Sequence, residues 1–204
     1  MAETNPNARL EAFSDGVFAF ALTLLIVDIK IPSTTRIDTT NDFWMALSRM
    51  TPAIYAFLLS FFVILITWVN HHANLKLVNK TSASFMYANG LLLLTVVFIP
   101  FPTALLGEHL FTDHSSPAVV LYDFVLVCQA LCWIFMTNVA LRNRLAKDER
   151  THSTIREHRL FGFVALGIYS ACAITAFWFP LTIAIVTALI WTVWLIVSIR
   201  TKIK

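Results

Sequence analysis

Long apolar stretches alternate with short polar segments along most of the chain. Windows of about twenty residues predict six helices of membrane-spanning length. These helices cover roughly residues 9 to 31, 43 to 70, 84 to 107, 117 to 142, 157 to 179 and 181 to 199. The pattern predicts an all-α integral membrane protein whose residues 1–204 form a single six-helix transmembrane domain.

The composition supports a membrane protein. Of the 204 residues, 58% are hydrophobic and 13% are charged, and a soluble domain of this size could not bury so much apolar surface. Three cysteines, Cys128, Cys132 and Cys172, lie within apolar segments, so we interpret them as packing residues. No basic run with interleaved aromatic residues suggests nucleic-acid binding.

The basic residues lie mainly on one side of the predicted topology. Twelve of the fifteen lysines and arginines fall at the two termini and in the second and fourth connections between helices. Only Lys30, Arg36 and Arg49 fall on the other side. The positive-inside rule therefore predicts a multi-pass protein with both termini in the cytoplasm.

The first predicted helix is unusual because acids stand close to both of its ends. Only twelve uncharged residues separate Asp15 from Asp28. At 1.5 Å per residue they cover about 18 Å, whereas hydrocarbon is about 30 Å thick. Either this segment does not span, or its ends are shielded from lipid, as they would be if the helix lined an aqueous pore between several subunits.

Apolar and small side chains recur along one face of this helix. Phe20, then Thr23 or Leu24, then Val27 follow a spacing of three, four and seven residues. In a pore these residues would form stacked rings and a narrow constriction, and Asp28 at the outer mouth would concentrate cations. The same spacing also fits a helix that is simply packed inside a bundle.

Polar residues cluster where the first helix begins. Arg9 and Phe13 are four residues apart and share a face, and Ser14 and Asp15 follow directly. An acid at this depth needs water or polar partners. The alternative is that Ser14 and Asp15 only cap the helix.

A second polar cluster lies at the same side of the predicted topology. Trp68, His71 and His72 stand at the end of the second helix with Asn70 and Asn74, and Asn89 enters the third. A hydrogen-bonded network of Ser14, Asp15 and one histidine would satisfy these groups, although tryptophan and histidine could also merely anchor the helix end. The six histidines have no metal-binding spacing, so we predict neither a metal nor another cofactor.

Two features are missing from the sequence. No carboxylate, lysine, arginine or histidine falls in the middle third of a predicted span, in contrast to coupled transporters. The chain has five glycines and no TVGYG-like stretch, which excludes a P-loop selectivity filter. An ion path would have to be lined by side chains.

The motif R-x-x-x-F-S-D, formed by Arg9, Phe13, Ser14 and Asp15 and followed by GVFAFALTLLIVDI, resembles the signature of the lysosomal potassium-channel family, transmembrane protein 175. The chain is similar to the bacterial branch, which has one six-helix repeat per chain and assembles as homotetramers. The resemblance is strong over about the first thirty residues and supportive at Trp68 to Asn74.

This resemblance implies a potassium-selective channel of a bacterial plasma (inner) membrane, with potassium ions, lipid and copies of itself as partners. Helix one of each subunit would line the pore, with its constriction at Phe20, Thr23 or Leu24 and Val27. Phe20 departs from the branched aliphatic residue that is usual at that position. The family's polar network would correspond to Arg9, Ser14 and Asp15, with partners among Trp68, His71, His72 and Asn89.

Two other functions compete with a passive potassium channel. One is a proton-leak pathway or a small proton-coupled transporter that uses Asp15 and His71 or His72. The other is a membrane enzyme or scaffold whose function lies in the charged segment 142–159. The resemblance implies a channel and no enzyme.

Overall fold

The computed structural model describes residues 7–27, 29–30 and 37–201. These residues form eight helices: α1 (Ala8–Leu24), α2 (Thr40–Ser48), α3 (Thr51–Leu75), α4 (Ala83–Phe98), α5 (Pro100–His109), α6 (Ser115–Arg142), α7 (Glu149–Thr175) and α8 (Pro180–Thr201). Apart from one isolated β-bridge, the regular secondary structure of the described residues is entirely α-helix.

Five helical segments are long and apolar enough to cross a membrane. They are α3, the combined segment of α4 and α5, α6, α7 and α8. The first helix has 17 residues, which corresponds to about 26 Å. It ends at Leu24 rather than near residue 31, so the first of the six predicted spans is shorter than the sequence pattern indicates.

The predicted helix at 43 to 70 is wrong in its boundaries, because two helices occupy this part of the chain. Thr39 accepts a hydrogen bond from the backbone N–H of Asp42, which in turn caps the Thr39 N–H, and this capping box starts α2. Hydrogen bonds from Thr39 hold the pKa of the Asp42 carboxyl below its ordinary value. Pro52 stands in the first turn of α3, where a missing N–H costs nothing.

The charged segment before the fifth predicted span is largely helical. A capping box between Asp148 and Thr151 starts α7 at Glu149, eight residues before the predicted boundary near 157. The hydrogen bond from the Thr151 N–H lowers the pKa of the Asp148 carboxyl. The predicted segment 84 to 107 contains a local break, because Pro100 has no N–H for the Val96 carbonyl and Ile99 donates to it instead, at 3.2 Å.

The first helix packs against α3 and α4. Phe18, Ala21 and Leu25 are buried and join a core that includes Val63 and Ile64 of α3. The remaining spans pack around α6, which contacts α4, α5, α7 and α8. The bundle therefore holds α1 at its periphery, by one face only.

The two ends of the bundle are tied by different contacts. At one end the loops after α3 and α6 pair, with the Asn79 N–H donating to the Leu145 carbonyl at 2.8 Å. Asn7 binds the same layer by donating to the Val78 carbonyl at 2.7 Å. At the other end Lys30 forms an ion pair with Glu108. The start of α1 and these two loops therefore lie on one side, as the charge pattern predicts.

We predict that Gly107→Ala destabilises the bundle, because a Cβ at Gly107 would lie 3.0 Å from the Cα of Ala53 in α3. The Ala53 backbone cannot rotate away as a side chain can, so α3 and α5 must separate. This should lower the free energy of unfolding by about 1–3 kcal/mol. Gly167→Ala is the matched control, since nothing lies within 4 Å of its added Cβ. Thermal unfolding followed by circular dichroism should show a lower Tm for Gly107→Ala alone. Equal Tm values for both variants would contradict this close approach.

Candidate functional site

A hydrogen bond joins the acid of the first helix to α3. The indole Nε1 of Trp68 donates to the Asp15 carboxylate at 2.7 Å. Both side chains are half-buried. A charge-assisted bond in a partly apolar environment is stronger than the same bond in water, so it fixes α1 against α3 at this level.

Asn89 of α4 joins the other two helices through both ends of its amide. Its Nδ2 donates to the Ser14 hydroxyl oxygen at 3.1 Å, and its Oδ1 lies 2.6 Å from the His71 Nε2. All three side chains are fully buried. Since the amide oxygen can only accept, His71 Nε2 carries the proton in this arrangement. The chain Ser14–Asn89–His71 therefore connects α1, α4 and α3.

The His71 ring is held neutral by its surroundings. Its Nδ1 is buried with no hydrogen-bond partner among the described residues, and Phe18 packs on the ring at a centroid distance of 5.3 Å. Protonation would place a donor on Nδ1 with no acceptor, which is costly in a buried site. His71 therefore acts as a hydrogen-bond donor through Nε2 alone.

His72 approaches the same site from a different side. Its ring stacks on Trp68 with centroids 6.3 Å apart and planes inclined by 29°. Trp68 thus contacts Asp15 through its N–H and His72 through its ring face. Within the described parts of the chain, no group of three or more His, Cys, Asp or Glu side chains could hold a metal ion.

The structure does not bring Arg9 and Phe13 into this network within one chain. Arg9 is exposed and makes no hydrogen bond among the residues that the structure describes. Phe13 is 62% exposed. Both lie on the exposed face of α1, away from the buried Ser14.

The candidate pore residues lie on this exposed face. Phe20 is 59% and Val27 is 73% exposed, and Thr23 is exposed as well, whereas Leu24 is half-buried. The Thr23 hydroxyl donates to the Phe20 carbonyl at 2.8 Å, so it turns toward its own helix. Val27 follows the end of α1 in a turn, and Asp28 lies outside the described residues.

Two contacts at this site were missed by reasoning from sequence. Phe18 covers His71, and Asn7 ties the start of α1 to the α3–α4 loop. The sequence does contain a pattern that indicates Phe18. One buried helix face is formed by residues at helical spacing, namely Ser14, Phe18, Ala21 and Leu25. For Asn7 no pattern indicates a partner seventy-one residues away.

Comparisons with known proteins connect this arrangement to a family of channels. Residues 9–100 match the family model described as the endosomal/lysosomal potassium channel TMEM175. A protein of Chamaesiphon minutus that is named a potassium channel is 43% identical over 149 residues, covering 73% of this chain and 68% of that protein. The chicken (Gallus gallus) endosomal/lysosomal proton channel TMEM175 is 28% identical over 187 residues, covering 87% of this chain and 36% of that protein.

A solved structure extends the likeness over nearly the whole fold. The crystal structure of a lysosomal potassium-selective channel TMEM175 homologue from Chamaesiphon minutus has a TM-score of 0.76 and 34% identity to this chain. The match covers 92% of this chain and 96% of that chain. The likeness therefore includes the helices after residue 100, which the family model does not reach.

We predict that Asn89→Leu destabilises the subunit, because it leaves the His71 Nε2–H buried without an acceptor. The expected cost is about 1–3 kcal/mol. Asn41→Leu, at an exposed position of α2, is the control and should change stability little. A double-mutant cycle with Ser14→Ala, measured by unfolding in detergent, should be non-additive. Strictly additive effects would show that Ser14 and Asn89 are not coupled.

Proposed function

Because this chain belongs to the endosomal/lysosomal potassium channel TMEM175 family, we propose that it is a potassium-selective channel whose pore is lined by α1. The family consists of ion channels, so the enzyme alternative is wrong. The chain is a multi-pass membrane protein of the TMEM175 fold. Beyond this, we propose that α1 lines the pore, that four subunits assemble around it, and that potassium passes in preference to sodium.

The observation that carries this proposal is the exposed face of α1. Phe20, Thr23 and Val27 are exposed, while Ser14, Phe18, Ala21 and Leu25 on the opposite face are buried. The adjoining end of the same helix carries the motif that defines the resemblance to the family. Such a face is explained if it meets a shared axis rather than lipid.

Four copies around one axis would supply the missing surroundings. One helix cannot enclose a pore, whereas four copies of α1 would place Phe20 and Val27 in successive rings. The helix could then be shorter than a lipid-exposed span, because its ends face water and other subunits. In this arrangement α1 crosses the membrane together with the other five segments, which gives six.

Conduction in the proposed pore is passive. With no P-loop, potassium passes apolar rings that widen or become wet, and preference over sodium arises from pore width and the cost of dehydration. Asp28 would concentrate cations at the outer mouth. The Ser14–Asn89–His71 chain and the Asp15–Trp68 bond would hold the four pore helices in register.

We also propose a bacterial inner membrane, by analogy with the relative from Chamaesiphon minutus. The distribution of basic residues supports both termini in the cytoplasm. The paired loops after α3 and α6, and the start of α1, share one side of the bundle. That side is the cytoplasmic one in this proposal. The Lys30–Glu108 pair then lies at the outer side.

We predict that Phe20→Ala and Val27→Ala change the potassium flux of protein reconstituted in liposomes, because they widen the proposed rings. We expect increased flux and a smaller ratio of potassium to sodium. Phe124→Ala and Val193→Ala remove the same side chains from exposed positions of α6 and α8 and are the matched controls. The control variants should conduct like the wild type.

Both pore variants could instead behave like their controls while remaining folded. That result would place the ion path away from α1 and overturn the proposed pore. A flux of sodium equal to that of potassium in the wild type would contradict potassium selectivity but leave a channel.

A proton pathway is a second candidate, since Asp15 accepts a hydrogen bond from Trp68, whose ring stacks on His72, and the chicken relative is named a proton channel. In this candidate Asp15 and a histidine of α3 would carry protons across the subunit. The two candidates differ in the role of the Asp15 carboxylate. In the proton pathway it would bind and release protons, whereas in the potassium channel it would only hold α1 in place.

We predict that Asp15→Asn still supports potassium flux, with altered opening or assembly, because the amide can still accept the bond from Trp68. A proton pathway requires instead that this variant loses proton movement while its fold is intact. Dye measurements of pH inside liposomes, with potassium flux measured in parallel, distinguish the two. Loss of proton movement together with unchanged potassium flux would favour the proton candidate.

A further inference from the structure

A carboxylic acid is buried in the subunit core, away from the α1 site. Asp123 of α6 has no exposed surface. The Thr187 hydroxyl of α8 lies 2.9 Å from its Oδ1. Its Oδ2 is buried and has no hydrogen-bond partner in the part of the chain that the structure describes.

Among the residues that the structure describes, none found to interact with Asp123 supplies a compensating positive charge. The titratable side chains that interact with it electrostatically are Tyr55 of α3, Tyr122 of α6, and Tyr169 and Cys172 of α7. Each of these is neutral or would become negative on ionisation. From α8 the facing group is the uncharged Thr187 hydroxyl.

The neighbouring hydroxyls are mostly engaged elsewhere. The Tyr122 hydroxyl lies 3.0 Å from the Ser60 hydroxyl, which in turn lies 2.6 Å from that of Thr103. Tyr55 donates to the Ala184 carbonyl at 2.6 Å. They do not reach Oδ2, so an ionised Asp123 would have one neutral donor for a full charge.

An ionised carboxylate with one donor and no cation is far more costly to bury than a neutral acid. A protonated Asp123 can donate from Oδ1 to the Thr187 oxygen over the same 2.9 Å contact. Oδ2 is then a neutral carbonyl oxygen, for which a missing partner costs much less. The geometry thus favours the acid form.

We propose that Asp123 is a proton-binding site, occupied by a proton in the folded subunit and separate from the Asp15 site of the pore helix. Its proton bridges α6 to α8 through Thr187. Release of the proton would leave an uncompensated charge between these helices. Folding therefore favours proton uptake at Asp123, and the stability that depends on the proton declines as pH rises.

Infrared spectroscopy of the 204-residue chain in micelles of a detergent without ester groups tests this proposal. The carbonyl stretch of a protonated carboxylic acid should be present at about neutral pH and absent in Asp123→Asn. Asp42→Asn is the matched control, because the pKa of Asp42 is lowered and its carboxyl is ionised there. If Asp123→Asn does not accumulate, Asp123→Ser replaces it.

Stability provides a second readout. Asp123→Asn cannot release a proton, so its Tm should exceed that of the wild type by an amount that grows with pH, whereas the difference for Asp42→Asn should not grow. An infrared band that persists unchanged in Asp123→Asn would belong to another carboxylic acid, and the absence of a band in the wild type would show that Asp123 is ionised. Either result would overturn the proposal. Potassium flux does not enter either readout, so failure of the proposed pore leaves this test intact.

Discussion

The hydrogen bonds that join α1 to α3 and α4 are the interaction on which the rest of this structure depends. Asp15 accepts from Trp68, and Asn89 lies between Ser14 and His71. In a membrane, polar groups that lack water must be paired within the protein. These pairs hold a short helix at the edge of the bundle by one face and leave its other face open.

This one-sided attachment explains why one face of α1 is buried while the other face is exposed. Phe18 and Ala21 fix one side of the helix in the core, while Phe20 and Thr23 on the other side are exposed. A peripheral helix held so firmly is suited to meet further copies of itself, because its exposed face keeps a defined orientation.

Several other polar groups of the spans pair with one another in the core. Ser60, Thr103 and Tyr122 pair with one another across three helices. Asp123 differs from these groups, because its side chain carries a charge in water. Among the described residues, only one hydrogen bond, to Thr187, reaches its carboxyl group in the core. A neutral acid reconciles its position with the pairing seen elsewhere.

The sequence by itself determined the class of protein, most of the spans and the polar cluster around Ser14 and Asp15, because apolar length and the placement of charges are local properties. It did not determine that α2 begins at Thr40 or that α7 begins at Glu149, since local caps at Thr39 and Asp148 override the apolar pattern there. Only the tertiary structure decided that Asn89 bridges Ser14 and His71, that Arg9 stays outside, and that Asp123 faces Thr187. These outcomes depend on the rotation of one helix against another, which is set by packing between residues distant in sequence.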